Sequence, residues 1–222
     1  MGLFAIGDIH GCFDPLMDLF EKDFLQSDDT IIFLGDYVDR GPKSNHVLDW
    51  LIRNPTNCKF EFLIGNHDLM MLAAKEEPAR LNEWLRYGGK ATLKSYGLSL
   101  QPDWVDHIPQ EHWDFLKVCK PYIEKDKFLF VHAGFQSEID LEHQSDHALF
   151  WKKYENPDKF KLDKTVICGH TSRKDGEIAD FGHTICIDTY AYGGGWLTCL
   201  NVEDKTYLKT NNYGRVDSGK LH

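Results

Sequence analysis

Gly-Asp-Ile-His-Gly at residues 7–11 and Gly-Asp-Tyr-Val-Asp-Arg-Gly at residues 35–41 decide the fold of this chain. Each block directly follows a short apolar run, at residues 3–6 and 30–34, and such runs predict buried strands. The glycines permit a tight turn of the backbone as it leaves the strand. Because ligands of open α/β sheets bind beyond the carboxyl ends of the strands, the two blocks predict a functional site there.

The same pattern, an apolar run followed by a polar turn, recurs three times along the chain. A run at 60–64 leads into Gly-Asn-His-Asp at 65–68, a run at 128–131 leads into His-Ala-Gly at 132–134, and a run at 165–168 leads into Gly-His-Thr at 169–171. Helical patterns separate the first three runs. The alternation of strands and helices predicts an α/β fold with a parallel sheet built from βαβ units.

The remaining segments are expected to complete a single domain over residues 1–222. Residues from about 69 to 120 have helical patterns and predict a helical insertion packed near the site. Shorter β-like pieces at about 183–188, 196–202 and 206–210 predict an antiparallel region that completes a second sheet. The polar end of the chain, about 211–222, is expected to be a mobile tail.

The charge and composition of the chain exclude several classes of partner. A net charge of −10 argues against non-specific binding to nucleic acid or to anionic membranes, which requires a basic surface. No apolar run approaches membrane-spanning length, and the first residues lead straight into a strand, so we expect neither a membrane segment nor a signal peptide. Six scattered cysteines without a C-x-x-C pair predict free thiols and a cytoplasmic location.

Carboxylates, imidazoles and one amide gather at the five predicted strand ends. A protein seldom buries such groups together unless a positive charge compensates them, and a metal centre would provide that charge. A ligand set of carboxylate, imidazole and amide oxygen without thiolate suits Mn, Fe or Zn. Two such ions about 3.5–4 Å apart form the standard clamp for hydrolysing phosphate esters. The polar residues at these strand ends are Asp8, His10, Asp36, Asp39, Arg40, Asn66, His67, His132 and His170.

The five motifs, in this order, resemble those of the calcineurin-like metallophosphoesterases. More narrowly, they resemble the short bacterial and phage form of the phosphoprotein phosphatase family, over about residues 3–200. The resemblance implies an αββα fold, in which two packed mixed β-sheets are flanked by helices. It also implies hydrolysis of phosphoserine and phosphothreonine in proteins, by in-line attack of a hydroxide that bridges two divalent metal ions, with Mn²⁺ favoured over Fe or Zn.

The resemblance assigns the metal ligands and the catalytic groups residue by residue. The first metal ion would be bound by Asp8, His10 and the bridging Asp36, and the second by Asp36, Asn66, His132 and His170. His67 would be the general acid that protonates the leaving alkoxide, and Asp39 would orient the imidazole of His67. Arg40 would hold phosphate oxygens with its bidentate guanidinium, and Asn66 would also contact the substrate phosphate.

One phosphate-binding group of the family lacks a clear counterpart in this chain. The family usually has a second arginine in a Leu-Trp-Ile-Arg-like stretch, whereas this chain has Phe-Trp-Lys-Lys at 150–153. Lys153 is a candidate substitute, which would act as a point charge without the arginine fork. Arg173 is another candidate, and a solvated surface role is favoured for either residue.

Two further assignments depend on the context of each residue. Gly-His-Thr occurs at 169–171 and at 182–184, and we predict His170 as the ligand because it follows a clean apolar run, with His183 as a strand residue. Asp188, Tyr190 and Tyr192 resemble a family loop near the site, although a packing role is equally open.

Three functions are compatible with these motifs. The predicted function is a serine/threonine protein phosphatase, favoured by the chain length and by the stretch at 88–97, with a phosphorylated protein or small phosphoester as substrate. The alternative of the same fold is a diadenosine tetraphosphate hydrolase. A non-catalytic metal-binding scaffold would be expected to lack a ligand or the acid, and all of them are present. The sequence makes no prediction about oligomeric state.

Overall fold

The computed structural model describes residues 1–222. The strands are β1 (Leu3–Ile6), β2 (Thr30–Phe33), β3 (Lys59–Phe62), β4 (Tyr122–Lys125), β5 (Phe128–Val131), β6 (Thr165–Cys168), β7 (Ala179–Asp180), β8 (Thr184–Cys186), β9 (Leu197–Asn201), β10 (Thr206–Thr210) and β11 (Val216–Lys220). The α-helices are α1 (Phe13–Glu21), α2 (Ser44–Arg53), α3 (Asn66–Glu76), α4 (Leu81–Trp84), α5 (Lys90–Ser95), α6 (Gln110–Val118) and α7 (Asp146–Phe150).

The strands form two mixed sheets. The first has the order β11-β10-β9-β1-β2-β3, in which β1, β2 and β3 are parallel and β9, β10 and β11 are antiparallel to their neighbours. The second has the order β4-β5-β6-β8-β7, in which β5, β6 and β8 are parallel and the two edge strands are antiparallel. The predicted parallel βαβ units and the predicted two-sheet architecture with flanking helices are therefore confirmed.

The core has three layers because the central strands bury both of their faces. In β1, Ala5 faces the cluster between the two sheets, whereas Phe4 and Ile6 face the cluster under the helices. In β5, Phe130 faces the layer between the sheets and Leu129 faces the outer layer beside α7. This two-residue alternation within a continuous apolar run explains why the sequence shows unbroken hydrophobic strands.

The strands near the end of the chain join the sheets differently from the prediction. The piece at 183–188 does enter the second sheet as β8, but it lies parallel to β6. The pieces at 196–202 and 206–210 form β9 and β10 of the first sheet, where β9 pairs antiparallel with β1 through Phe4 and Asn201. The prediction that the antiparallel region completes the second sheet was wrong, because local patterns do not encode the pairing partner.

The last residues form a strand where the sequence predicted a mobile tail. β11 pairs with β10 along all five of its residues, and Asp217 makes a 2.8 Å ion pair with the buried Lys209. The strand has the sequence Val-Asp-Ser-Gly-Lys, with alternating exposed and half-buried residues and no apolar face. Backbone hydrogen bonds hold it, so hydrophobic periodicity could not reveal it. No helix of the protein has the length and apolarity needed to cross a membrane.

Candidate metal centre and active site

The predicted site residues lie where the parallel strands of both sheets end. Asp8 and His10 follow β1, and Asp36 follows β2. His132 comes directly after β5, and His170 comes two residues after β6. These turns meet, because His132 Nε2 lies 3.6 Å from Asp36 Oδ1 although the two residues belong to different sheets. The packing of one sheet on the other therefore assembles the site.

Asn66 brings two histidines together at the start of α3. Its Oδ1 atom lies 3.0 Å from His132 Nε2 and 2.9 Å from His170 Nδ1. A donor atom of Asp36 joins this group, within 4.8 Å of the two imidazole donors. These four residues are the set predicted for the second metal ion, and His183 stays outside it, with its Nδ1 atom beside Thr184.

Asp36 lies between this group and the first predicted ligands. Its Oδ1 atom faces His132, whereas its Oδ2 atom lies 3.4 Å from His10 Nε2. Asp8 approaches the other side of the centre, and its two carboxylate oxygens accept the backbone N–H of His170 over 3.2 and 3.1 Å. The position of Asp36, with one oxygen toward each group, is the position that a bridging carboxylate requires.

Hydrogen bonds to backbone carbonyls fix which imidazole nitrogens carry lone pairs. His10 Nδ1 donates to Val38 O over 2.9 Å, and His132 Nδ1 donates to Leu34 O over 2.8 Å. Burial lowers the pKa of both imidazoles well below the usual range, and neighbouring imidazoles, together with Arg40 at His10, lower it further. Both rings are therefore neutral, with Nε2 as an acceptor directed into the centre.

The donor set fits divalent cations. His132 Nε2 faces the amide oxygen of Asn66, and two acceptors at 3.0 Å have no proton to share, so a cation between them would resolve the contact. Burial raises the pKa of the Asp8 carboxyl, and the charges of Asp188 and Asp36 raise it further. Repelling carboxylates and directed imidazole lone pairs together are the chemistry of a metal site.

Several site residues have strained backbone conformations. The φ angles of His10, Asp36 and His170 are 45°, 53° and 60°, in the left-handed region that side chains rarely adopt. Such residues cost about 1–3 kcal/mol each and persist where the surroundings hold them. Asp68 provides this support at the second turn, since its carboxylate accepts the N–H groups of Asp36, over 2.8 Å, and of two neighbouring backbone positions.

His67 lies beside the centre and is held by a buried carboxylate. His67 Nδ1 lies 2.7 Å from Asp39 Oδ2, and its ring centroid lies 4.7 Å from that of His10. Asp39 is completely buried and also accepts hydrogen bonds from Trp84 Nε1, over 2.9 Å, and Thr92 Oγ1, over 2.7 Å. Asp39 and His10 therefore contact the imidazole of His67 directly, and the two donors hold Asp39 in place. This is expected for a positioned proton donor.

The proton state of this pair favours donation from His67 Nε2. Burial raises the pKa of Asp39 to about 7, and burial with the charge of Arg40 lowers the pKa of His67. When the hydrogen-bonded pair gains a proton, Nε2 carries a hydrogen whether the charge separates or not, since Nδ1 is engaged with Asp39. The pair can thus give up a proton through Nε2 near neutral pH.

The predicted phosphate-binding groups lie at the solvent side of the centre. Arg40 is exposed, its Nη1 atom donates to His10 Nε2 over 2.9 Å, and its guanidinium carbon lies 4.4 Å from the centre of the Tyr192 ring. Lys153 is exposed; burial lowers the pKa of His170, and the charge of Lys153 lowers it further. Arg173 makes an ion pair with Asp175 over 2.9 Å.

Sequence reasoning missed the residues that support the motifs. Asp68 stands inside a motif and Trp84 in the predicted helical insertion, and neither has a predicted role at the site, although both bind motif residues through hydrogen bonds. Thr92 lies in the stretch at 88–97 that had been noted only as a family feature. No periodic pattern marks these residues, because each acts on a partner more than 30 residues away.

Comparison with known proteins supports the family. The model of the calcineurin-like phosphoesterase family matches residues 1–208. A protein of Neisseria gonorrhoeae named bis(5'-nucleosyl)-tetraphosphatase, symmetrical, is 28% identical over 279 aligned positions, which cover 98% of each chain. The alignment is longer than the 222 residues of this chain, so parts of that relative have no counterpart here.

Solved structures share the fold at lower sequence identity. A candidate diadenosine tetraphosphatase has a TM-score of 0.63 and 20% identity, covering 100% of this chain and 94% of its own. A protein serine/threonine phosphatase from Saccharomyces cerevisiae has a TM-score of 0.60 and 18% identity, covering 100% of this chain and 80% of its own. Both substrate classes therefore occur among the structural neighbours, and the fold alone does not separate them.

Proposed function

The chain belongs to the calcineurin-like phosphoesterase family, and we propose that it hydrolyses bis(5'-nucleosyl) tetraphosphates with two bound divalent cations, Mn²⁺ being the first to test. The observation that carries this proposal is the similarity, along nearly the whole chain, to a symmetrical bis(5'-nucleosyl)-tetraphosphatase. The sequence motifs alone favoured a protein phosphatase, and the sequence relatives favour the alternative instead. Symmetrical cleavage by water would give two nucleoside diphosphates.

Six side chains would hold the cations. Asp36 would serve both sites, because its two oxygens face different imidazoles. When bound, the cations neutralise phosphate oxygens and lower the pKa of water, which supplies a nucleophile without a nucleophilic side chain. The proposed ligands are Asp8, His10, Asp36, Asn66, His132 and His170.

The other site residues would bind the polyphosphate and move the proton. Arg40 would hold phosphate oxygens with its guanidinium, which Tyr192 supports by stacking. Asn66 and, at the exposed rim, Lys153 would add contacts to phosphate oxygens. His67, oriented by Asp39, would donate a proton from Nε2 to a departing oxygen, with the greatest effect where that oxygen is strongly basic.

A comparison of substrates tests the proposal. We would measure kcat/KM of the Mn²⁺-loaded protein on diadenosine tetraphosphate and on phosphoserine, phosphothreonine and phosphotyrosine peptides, with Asp36→Asn as the inactive control. We expect the dinucleotide to be preferred and ADP to be the sole nucleotide product by ion-exchange chromatography. ATP together with AMP would contradict symmetrical cleavage, and a preference for phosphopeptides would restore the protein phosphatase prediction. Inactivity on every substrate would favour the scaffold.

A further inference from the structure

Asp188 is a buried carboxylate at the site to which the motifs assign no role. Its exposed fraction is 2%, and it lies two residues beyond the end of β8. Its Oδ1 atom accepts the backbone N–H of Tyr190 over 3.1 Å, but its Oδ2 atom has no hydrogen-bond partner. A buried carboxylate oxygen without a partner is costly, and it requires an explanation.

The packing of one sheet on the other places Asp188 next to Asp8. The backbone of Ile187 touches that of Gly7 so closely that a Cβ atom at Gly7 would lie 2.5 Å from Ile187 O. Asp188 follows Ile187, and Asp8 follows Gly7. The Asp188 carbonyl also accepts the N–H of Arg173 over 2.8 Å, which ties this turn to the one that carries His170. Asp188 therefore belongs to the same cluster of strand ends as the predicted ligands.

Packing within the protein does not satisfy the free oxygen. The hydroxyl of Ser172, on the neighbouring turn, lies near Asp188 but makes no hydrogen bond of normal geometry. Asp68, by contrast, engages three backbone N–H groups. Asp188 instead keeps its Oδ2 atom unpaired beside another carboxylate.

Asp188 also adds to a concentration of buried carboxylates at the centre. Five carboxylates are buried there, whereas Arg40, the arginine that contacts His10, is exposed. Buried carboxylates this close together need a positive charge nearby, and bound cations would provide it. The five carboxylates are those of Asp8, Asp36, Asp39, Asp68 and Asp188.

We propose that Asp188 is a further anionic residue of the metal centre, whose Oδ2 atom holds the cation on the side of Asp8 and His10. This inference rests on the proposed function, since it requires the cations. It assigns to the turn after β8 a part in cation binding, in addition to the turns after β1, β2, β3, β5 and β6.

The test compares Asp188→Asn with a matched control, Asp29→Asn. Asp29 is a buried carboxylate outside the centre, with 3% exposure, and it accepts the N–H groups of Gly2, over 2.6 Å, and Gln26, over 2.8 Å. For EDTA-treated wild-type protein and both variants, we would measure Mn²⁺ stoichiometry and Kd by titration calorimetry. The Tm of each protein in EDTA would be measured alongside.

We expect Asp188→Asn to weaken one of the two Mn²⁺ sites by about 10–100-fold. Its Tm in EDTA should equal or exceed that of the wild type, because a repelled, unpaired charge has been removed. Asp29→Asn should lower the Tm in EDTA and leave both Mn²⁺ sites unchanged. These variants thus separate a role in cation binding from a role in folding.

Wild-type Kd values for both sites in Asp188→Asn would overturn the inference and leave the proposed function intact. A wild-type protein that binds no Mn²⁺ would overturn the two-cation centre itself, and with it both the proposed function and this inference. Should Asp188→Asn fail to fold, Asp188→Ser provides the same comparison with a smaller polar side chain. Wild-type Mn²⁺ affinity in Asp188→Ser would equally overturn the inference.

Discussion

His67→Asn is the substitution that most directly tests the chemistry of the site. It removes the imidazole while leaving the backbone N–H of residue 67, which donates to Asp36 Oδ1 over 2.9 Å. Asp39 loses one hydrogen-bond partner but keeps Trp84 and Thr92, so its carboxylate stays satisfied. We therefore expect the variant to fold with a loss of about 1–2 kcal/mol in stability and to bind its cations normally.

The size of the kinetic effect depends on the leaving group. A positioned general acid contributes about 10²–10⁴ in rate where a basic oxygen departs, or about 3–5 kcal/mol of barrier. The 2.7 Å bond between His67 and the buried Asp39 supports a value within that range. Where the leaving group departs without a proton, as nitrophenolate does, we expect a loss of less than about tenfold. A nucleoside diphosphate leaving group should resemble the second case more than the first.

The assay compares kcat of the wild type and His67→Asn on p-nitrophenyl phosphate, phenyl phosphate and diadenosine tetraphosphate, with the Mn²⁺ content of each sample measured by elemental analysis. His183→Asn, the same change at a histidine outside the centre, is the control and should match the wild type. Equal losses on p-nitrophenyl and phenyl phosphate would refute the general-acid role. A loss of bound Mn²⁺ in His67→Asn would show that the imidazole binds a cation.

Four other changes test cation binding, the support of Asp39 and phosphate binding by Arg40. Asp36→Asn should empty at least one cation site, and elemental analysis that still finds two ions would refute its bridging position. Removal of Mn²⁺ by EDTA should lower the Tm more at about pH 7.5 than at about pH 5.5. Burial raises the pKa of Asp8 and Asp36 in the folded state. Without cations, the folded state therefore loses stability as the pH rises above about 4, because these groups ionise in the unfolded chain more readily than in the folded protein. A Tm difference independent of pH would contradict this account. Thr92→Val should cost about 1–3 kcal/mol in chemical denaturation, since it leaves the backbone N–H of the buried Asp39 without a partner and removes one of the two donors to its Oδ1 atom. Arg40→Lys should raise KM about tenfold or more by removing the bidentate fork, and an unchanged KM on all substrates would exclude phosphate binding by this side chain.

The candidate site residues could be predicted from the sequence because each lies within a few positions of a strand end. A buried strand has a local signature, and so does a glycine-flanked polar turn, so Asp8, Asp36 and His132 could be chosen without knowledge of their partners. Their contacts could not be read in this way. Asp8 meets the backbone of His170 across 162 positions of sequence, and only the stacking of the two sheets brings these turns together.

Supporting residues and edge strands were the parts that local patterns failed to identify. In the sequence, Trp84 resembles an ordinary packing residue. Its role depends on the hydrogen bond from its indole N–H to Asp39, which only the structure shows. β11 has no apolar face and exists because β10 offers unpaired backbone groups and Lys209 offers a charge. In each case the deciding contact joins distant parts of the chain.

The sequence by itself determined the parallel strands, the polar turns and the kinds of side chain that they carry, because these depend on short-range periodicity and on the chemistry of single residues. Tertiary structure alone decided that β9 returns beside β1, that Asp36 presents one oxygen to each imidazole group, and that Asp188 lies next to Asp8. The physical reason is that pairing and packing join surfaces that are far apart in sequence, whereas strand formation and turn geometry are local.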